Sequence, residues 1–468
     1  MKNILEFNDP LYEVLRFGNV NSGTHHLRQA VLNGNNFFKL NKLILPIINC
    51  PEVARLKHLK QAGFVPLVFP SANHTRFAHS LGSFHLGQIA LNTVSVFCID
   101  NGNLSLLEHL QRYGLIEEFL VGLFLHDLGH YPFSHTLENN IGLKGSLGNK
   151  FVSHEEVACQ LIMGAGDIFE EFEGKYFKYK DEMVAAILKK NDSYDLDVIC
   201  FLISGNKQYF EKIRNINSDK KKQATIKLLH NLVSGDYDFD RIDHYRRDSF
   251  FTGLGHTFKP YSLLSGLEFS YEDSHNTFKE NHSHESEGQI ATMLFIRNQL
   301  HFRCFGDLKN ISYSAMLNHA LTMHLKEYED NELIKEALYI LTMTDSELLF
   351  HLEQSKNNQT KELIEAIILS RPYKCVASFG KQGRDISSKI IEKIYLRDNS
   401  LIVGFSKYFD NPDKNWLLEP PTPHDEKRGY IFTKDKEYDE VKSTLEYLKI
   451  KGISTPTEIE ENSFCNFN

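Results

Sequence analysis

Phe119 to Leu125 carries no polar side chain and runs straight into His126-Asp127-Leu128-Gly129-His130-Tyr131-Pro132-Phe133-Ser134-His135. An uninterrupted apolar segment predicts a buried helix. It therefore delivers three histidines and a carboxylate to the interior, where unpaired imidazole and carboxylate groups are costly. Elsewhere apolar residues recur mostly at helical spacing. An apolar run from Leu43 leads into Pro51, and Val53, Leu56 and Leu59 continue a helix to a stop near Gly63. Helices are also predicted from just after Gly82 through Ile89 and Val94, behind Ser153 as N-cap, over Glu182–Leu188 and Ala224–Leu232, over Ile290–Phe305, and on to about Ile368. The polar stretch to about Asn41 reads as loops around short elements, Asn139–Lys150 as a glycine-bearing loop and residues 271–288 as an exposed loop. Strand patterns occur at Ser400–Phe405 and Gly429–Thr433, separated by the proline-rich Glu419–Pro423 and followed by a helix over Tyr438–Lys449. The expected fold is mainly α with a small mixed α/β C-terminal region. It divides into an N-terminal segment 1–42, a core 43–375 and a C-terminal region 376–468.

Composition narrows the function classes. The 468 residues carry 41% hydrophobic and 24% charged side chains, as a soluble globular protein does. With 52 Lys+Arg against 61 Asp+Glu the net charge is -9. Such a field does not favour nucleic acid, and any anionic ligand must be held by local positive groups. The seven cysteines are scattered without a CxxC pair, and no apolar run approaches the length of a spanning helix. A cytoplasmic protein with no membrane partner is the expectation.

Neutral imidazole and ionised carboxylate together suit a transition-type divalent ion, whereas Ca would want oxygen ligands throughout. His126 and His130 would share one helix face if the helix continued through Gly129. His79 and Arg76, in Arg76-Phe77-Ala78-His79, stand just before a helix, where ligands can be presented. Asp236 to Asp248 holds five acidic and three arginine side chains; alone, such a run reads as a solvated helix face. Gly142, Gly145 and Gly148 lack the Gly-Lys-Ser/Thr ending of a phosphate-binding loop. His282 and His284 read as loop residues.

Four segments in this order, Arg76–Gly82, His126–His135, Ser153-His154-Glu155 and Asp238-Phe239-Asp240-Arg241-Ile242-Asp243, resemble the HD-domain superfamily. More narrowly they resemble its deoxynucleoside triphosphate (dNTP) triphosphohydrolase branch, over about residues 43 to 375. The resemblance implies a helical HD fold, His79, His126, Asp127 and Asp240 as ligands of one divalent ion (Mn, Fe, Zn, Ni or Mg), and a phosphate clamp of Arg76, His130, Arg241 and Arg297. It also implies a nucleotide substrate, expected to be a dNTP cleaved to nucleoside and triphosphate, and a homo-oligomer. His135 and His154 remain for proton transfer. Glu138 stands three residues after His135 and Glu155 adjoins His154, so each carboxylate would fix one imidazole. His154 is the expected general acid, and His135 with Glu138 the pair on the water side. Gln61 and Asp248 match sugar contacts, but the family's neighbouring aliphatic residue is Ala62 here, and two of its tyrosines are His244 and Phe305. An HD phosphodiesterase or nucleotidase therefore stays open as the alternative. Least expected is a nucleotide or nucleic-acid sensor with a structural metal.

Overall fold

The computed structural model describes residues 5–11, 13–17, 44–98, 102–190, 194–214, 216, 219–235, 238–379, 400–406, 428–434, 436 and 440–442. The architecture is mainly α. Its axis is the helix Ile116–Leu125, in which Phe119, Leu120, Val121, Leu123, Phe124 and Leu125 are fully buried. Each such Leu, Val or Phe contributes roughly 1.5–3 kcal/mol of transfer free energy, which is why an all-apolar stretch ends up enclosed. The helices Arg76–Thr93, Leu196–Ser204 and Lys220–Ser234 pack around it.

Several expected boundaries move, each for a physical reason. Residues 44–48 are helical, Pro51–Arg55 continues as helix and Leu56–His58 as a 3-10 turn, but the run ends at Leu59 rather than near Gly63. Leu59 turns extended because its carbonyl accepts from Arg76 N at 3.0 Å and Lys60 bridges to Thr75. Tertiary pairing thus overrides helical spacing. The central helix likewise stops at Leu125, and residues 126–129 form turns, with Leu128 N on Leu125 O and His130 N on Asp127 O. His126 and His130 therefore do not share a helix face. The Gly129 backbone lies so close to the helix His154–Met163 that a Cβ there would stand 2.2 Å from the carbonyl oxygen of His154.

Asn139–Lys150 is not a loop. It contains the helix Ile141–Leu147, capped by Asn140 Oδ1 on Leu143 N at 2.7 Å, and a 3-10 turn Gly148–Lys150. The cap and the buried Leu143 and Leu147, four residues apart, outweigh the glycines. Residues 271–288 are also ordered, as a hairpin of β5 (Leu267–Glu272) and β6 (Thr277–His282) leading into the helix His284–Leu300 behind Ser283 as N-cap. Leu267, Phe269 and Tyr271 alternate inward, a period-two signal that the polar residues of the hairpin hide. That helix begins six residues before the expected Ile290, and His301–Phe305 extend it as a π-helical turn.

The hairpin belongs to a four-stranded sheet of order β4-β3-β5-β6, where β3 is Ser95–Cys98 and β4 is Gly102–Ser105. An N-terminal hairpin pairs β1 (Leu5–Asp9) with β2 (Glu13–Phe17). At the C-terminal end, β7 (Lys374–Phe379), β9 (Arg428–Thr433) and β8 (Ile402–Ser406) form an antiparallel sheet that contains both expected strands. Ile402, Tyr430 and Phe432 of this sheet join the main core. Glu419–Pro423 and, apart from the helical residues 440–442, the expected helix Tyr438–Lys449 lie outside the described residues. Among the described residues no helix is long and apolar enough to cross a membrane.

Candidate active site

Three helix ends meet at one point. The Arg76–Thr93 helix starts behind Thr75, whose Oγ1 accepts from Ala78 N, and places Arg76 and His79 in its first turn. The C-terminal end of the central helix supplies His126 and Asp127. The helix Phe239–Phe251, capped by Asp238 Oδ1 on Arg241 N at 2.7 Å, supplies Asp240. His79 Nε2 lies 3.2 Å from His126 Nε2, 2.8 Å from Asp240 Oδ1 and 3.8 Å from Asp127 Oδ2. His126 Nε2 is 3.5 Å from Asp127 Oδ1 and 3.7 Å from Asp240 Oδ1. Donors bound at ~2.0–2.2 Å to one ion stand roughly 3–4.2 Å from one another. His79, His126 and Asp240 are close enough together to hold one divalent ion, and Asp127 borders them in an adjoining group with His130 and His154.

The tautomers fit as well. His126 Nδ1 donates to the Leu123 carbonyl at 2.8 Å, and His79 Nδ1 donates to Asp243 Oδ2 at 2.8 Å, so both Nε2 lone pairs face the centre. Asp243 is in turn held by Arg247 through Nε at 2.8 Å and Nη2 at 3.0 Å, and Arg247 Nη1 reaches Asp9 Oδ2 at 2.8 Å. Asp240, Asp243 and Arg247 share one face of their helix. Asp243, Arg247 and Asp248 are fully buried, so this charge run is not a solvated face; Asp236 and Tyr237 at its start lie outside the described residues. A Cβ on Gly82 would fall 2.0 Å from Asp243 Oδ1, so only glycine lets the two helices approach here. Burial pushes the His79 imidazole down, but its bonds to Asp240 and Asp243 outweigh that and hold its pKa at about 10. An ion in the centre would replace that proton.

A proton-handling group adjoins this centre through His130. His130 Nε2 lies 3.3 Å from Asp127 Oδ1, and its ring stacks on that of His154 with centroids 3.8 Å apart. Burial, together with the charges of Arg76 and His154, pushes His130 well below its ordinary range, so it stays neutral. Phe133 and Ser134, at φ of 52° and 56°, make a left-handed turn into the short helix His135–Glu138. Phe133 N on Asp345 Oδ1 at 2.7 Å and Arg76 Nε on Ser134 Oγ at 3.0 Å hold that strained geometry.

Glu138 takes Nδ1 of both outer histidines, His135 at 2.8 Å and His154 at 2.9 Å. The expected partition of one carboxylate per histidine therefore changes. Glu138 fixes both tautomers, while Glu155 lies on the other side of His154, 3.4 Å from Nε2. Burial works against the Glu138 carboxylate, but the two histidines hold it far below the usual range and keep it ionised. Burial also lowers His154, yet bonding to Glu138 and the charges of Glu138, Glu155 and Asp127 raise it overall. His135, the most exposed of the three histidines, is lowered, because desolvation of its ring and the charges of Arg76 and His154 outweigh its bond to Glu138.

The remaining expected residues surround the same place. Arg76 is buried with Nη1 on Asp127 Oδ2 at 2.6 Å. Arg241 is partly exposed and donates to the Gly235 carbonyl. Arg297 acts electrostatically on Tyr245 alongside Arg241, and its buried Nε and Nη2 have no hydrogen-bond partner. Gln61 is buried, donates its backbone N–H to His74 O at 3.1 Å and leaves Oε1 without a partner. Asp248 is enclosed between His74 Nε2 at 2.6 Å and His244 Nε2 at 2.9 Å, so it reaches the site through imidazoles. The His244 ring lies 6.0 Å from that of His79. His282, 2.8 Å from Glu280, and the fully exposed His284 take no part in the ligand cluster.

Sequence reasoning missed the supports: Asp243 and Arg247 behind His79, Asp9 behind them, His74 behind Asp248, and Arg55. The Arg55 guanidinium is buried among the Leu341, Thr342 and Met343 carbonyls and donates Nη1 to His130 O at 2.8 Å. Only the Asp240, Asp243, Arg247 spacing carried a legible signal.

The helical scaffold thus brings together a group of side chains that could hold a metal ion and, beside it, a His-Glu-His group. The family model for the HD domain matches residues 76–212. An uncharacterized protein of Mycoplasma genitalium is 24% identical over 83% of this chain and 87% of its own length. A protein of Dictyostelium discoideum named deoxynucleoside triphosphate triphosphohydrolase SAMHD1 homolog is 28% identical over 45% of this chain and 34% of its own. The mouse SAMHD1 dNTP triphosphohydrolase is 27% identical over 57% and 39%. The match thus spans well under half of these two relatives. Residues 76–212 match the HD domain, and the chain is similar to proteins named dNTP triphosphohydrolases. Together, domain and relatives support a phosphohydrolase.

Proposed function

We propose that the chain hydrolyses a deoxynucleoside triphosphate at the α-phosphorus, releasing nucleoside and triphosphate. The observation that carries this reading is the contiguity of the ligand set with the proton-handling group, joined by Asp127, His130 and His154. His79, His126, Asp127 and Asp240 would hold the ion, which supplies Lewis-acid polarisation of a phosphoryl oxygen and a more acidic water. Arg76 is buried against Asp127, where its charge stabilises negative charge growing on phosphate oxygens. His154, with Nδ1–H fixed by Glu138, presents Nε2 and delivers a proton to the leaving sugar oxygen. Glu138 stays ionised throughout and stabilises the imidazolium before transfer. His135, whose Nδ1–H the same carboxylate fixes while desolvation and the charge of Arg76 lower its pKa, is suited to accept a proton from water.

The names of the relatives and the resemblance support the triphosphate; the sugar pocket gives the second reading its weight. His244 and Phe305 remove two phenols, and a pocket that selects deoxyribose by hydrogen bonding depends on such groups. A phosphodiesterase or nucleotidase would use the same centre on one phosphate.

Arg297 separates the two readings. Its unpartnered buried nitrogens suit a phosphate oxygen pair, and Lys cannot copy a bidentate guanidinium. Arg297→Lys should lower kcat/KM for a dNTP about tenfold or more, from the ~1.5–3 kcal/mol of a charge-assisted hydrogen bond. An artificial aryl phosphodiester, with no distal phosphates, should be hardly affected. Equal losses on both substrates would move the assignment to the phosphodiesterase reading.

A further inference from the structure

A second histidine-carboxylate cluster lies outside this site, where three helices meet. His324 stands in the last turn of the helix Leu308–Leu325, Glu336 in the helix Asp330–Leu341 and His351 in the last turn of Asp345–Glu353. His324 Nε2 is 3.0 Å and His351 Nε2 2.5 Å from the same oxygen, Glu336 Oε1. These ligand atoms all fall within 4.8 Å of one another. Glu336 is largely buried and His351 partly exposed, so the cluster opens to solvent on one side.

The tautomer of His324 is the telling feature. If both imidazoles are neutral and bond Glu336, each carries its proton on Nε2. The Nδ1 lone pair of His324 then points into the protein. That side chain is only 3% exposed, and Nδ1 has no hydrogen-bond partner; Glu327 Oε1 stands 4.0 Å away. A buried lone pair facing an anion is unfavourable. Coordination through Nε2 reverses the arrangement, because Nδ1 then carries the proton and faces Glu327 as a donor. A carboxylate behind a ligating histidine is a usual support. Ser355 Oγ, Asn357 N and Lys356 N fix Glu327 in place at 2.5, 2.7 and 3.1 Å.

We propose that His324, Glu336 and His351 form a second divalent-metal site of the zinc class, with its fourth position open to solvent. Two imidazoles and one carboxylate are a borderline-soft set that suits zinc better than Mg or Ca. The ion would tie together three helices. One of them, Leu308–Leu325, supports the chain around His135–Glu138 through Ser314 Oγ, which accepts from Thr136 Oγ1 at 3.4 Å, and through Asn318 O, which accepts from Asn140 Nδ2 at 3.0 Å.

The test is metal content of the full chain equilibrated in zinc buffer and measured by elemental analysis. Wild type should hold one ion more per chain than His351→Ala or Glu336→Gln, and cobalt-loaded wild type should show a tetrahedral visible absorption that both variants lack. His351 is partly exposed and Glu336→Gln keeps the side-chain shape, so circular dichroism should report folded protein in both. Asp127→Ala should lose the other ion and retain this one. Equal zinc content and equal cobalt spectra in wild type, His351→Ala and Glu336→Gln would overturn the proposal.

Discussion

Asp127→Ala is expected to lose one bound ion per chain and to lower turnover by about three orders of magnitude or more. Asp127 is the hub of the site. One oxygen lies 3.5 Å from His126 Nε2 and 3.3 Å from His130 Nε2; the other lies 3.8 Å from His79 Nε2 and 2.6 Å from Arg76 Nη1. Burial alone would raise its pKa, but Arg76, His126 and His130 hold it well below the carboxylate range, so it stays ionised. Removing it leaves the buried Arg76 guanidinium without its carboxylate, which also costs stability. Asp127→Asn keeps the shape and separates the two effects. It should fold, retain less metal than wild type and remain nearly inactive. Elemental analysis and steady-state turnover read both; wild-type metal content and turnover in Asp127→Asn would contradict the ligand assignment.

Glu138→Gln should lower turnover about a hundredfold or more while leaving metal content unchanged, since it sets the proton on two histidines and touches no ligand of the ion. Glu155→Gln, removed from Nδ1 of His154, should cost only a few-fold. The pH profile gives a sharper reading. His154 has its pKa raised, so its imidazolium is present below that value and is lost as pH rises through it. Activity carried by His154 as an acid therefore falls on an alkaline limb above the ordinary histidine pKa. Without the Glu138 charge, burial dominates and the limb moves to lower pH. A limb that does not move between wild type and Glu138→Gln would remove His154 from the acid role.

What the sequence disclosed follows from the range of each signal. The central helix was legible because Phe119–Leu125 is apolar on every side, and the strands at 402–406 and 428–433 because short apolar runs stand between turn residues. The Ile141–Leu147 helix was hidden by glycines that a single Asn140 cap overrides, and the β5–β6 hairpin by the polar face of an alternating strand. The site divides in the same way. His79, His126 and Asp240, far apart in sequence, come together in space, with Asp127 in an adjoining group with His130 and His154. The partition of Glu138 and Glu155 between His135 and His154 was read from adjacency in sequence. Folding instead sets Glu138 between both rings, because the left-handed turn at Phe133 and Ser134 swings its helix toward His154. Arg247 and Asp9, 238 positions apart, meet only in the folded chain.

The central claim is hydrolysis at the α-phosphorus of a triphosphate. Its direct measurement is chromatographic analysis of the products formed by metal-loaded protein from each of the eight common nucleoside triphosphates. The proposal predicts nucleoside and inorganic triphosphate in equal amounts from at least one dNTP, with almost none formed by Asp127→Asn. Monophosphate with pyrophosphate, diphosphate with phosphate, or no turnover of any triphosphate by a protein that cleaves an aryl phosphodiester would contradict it.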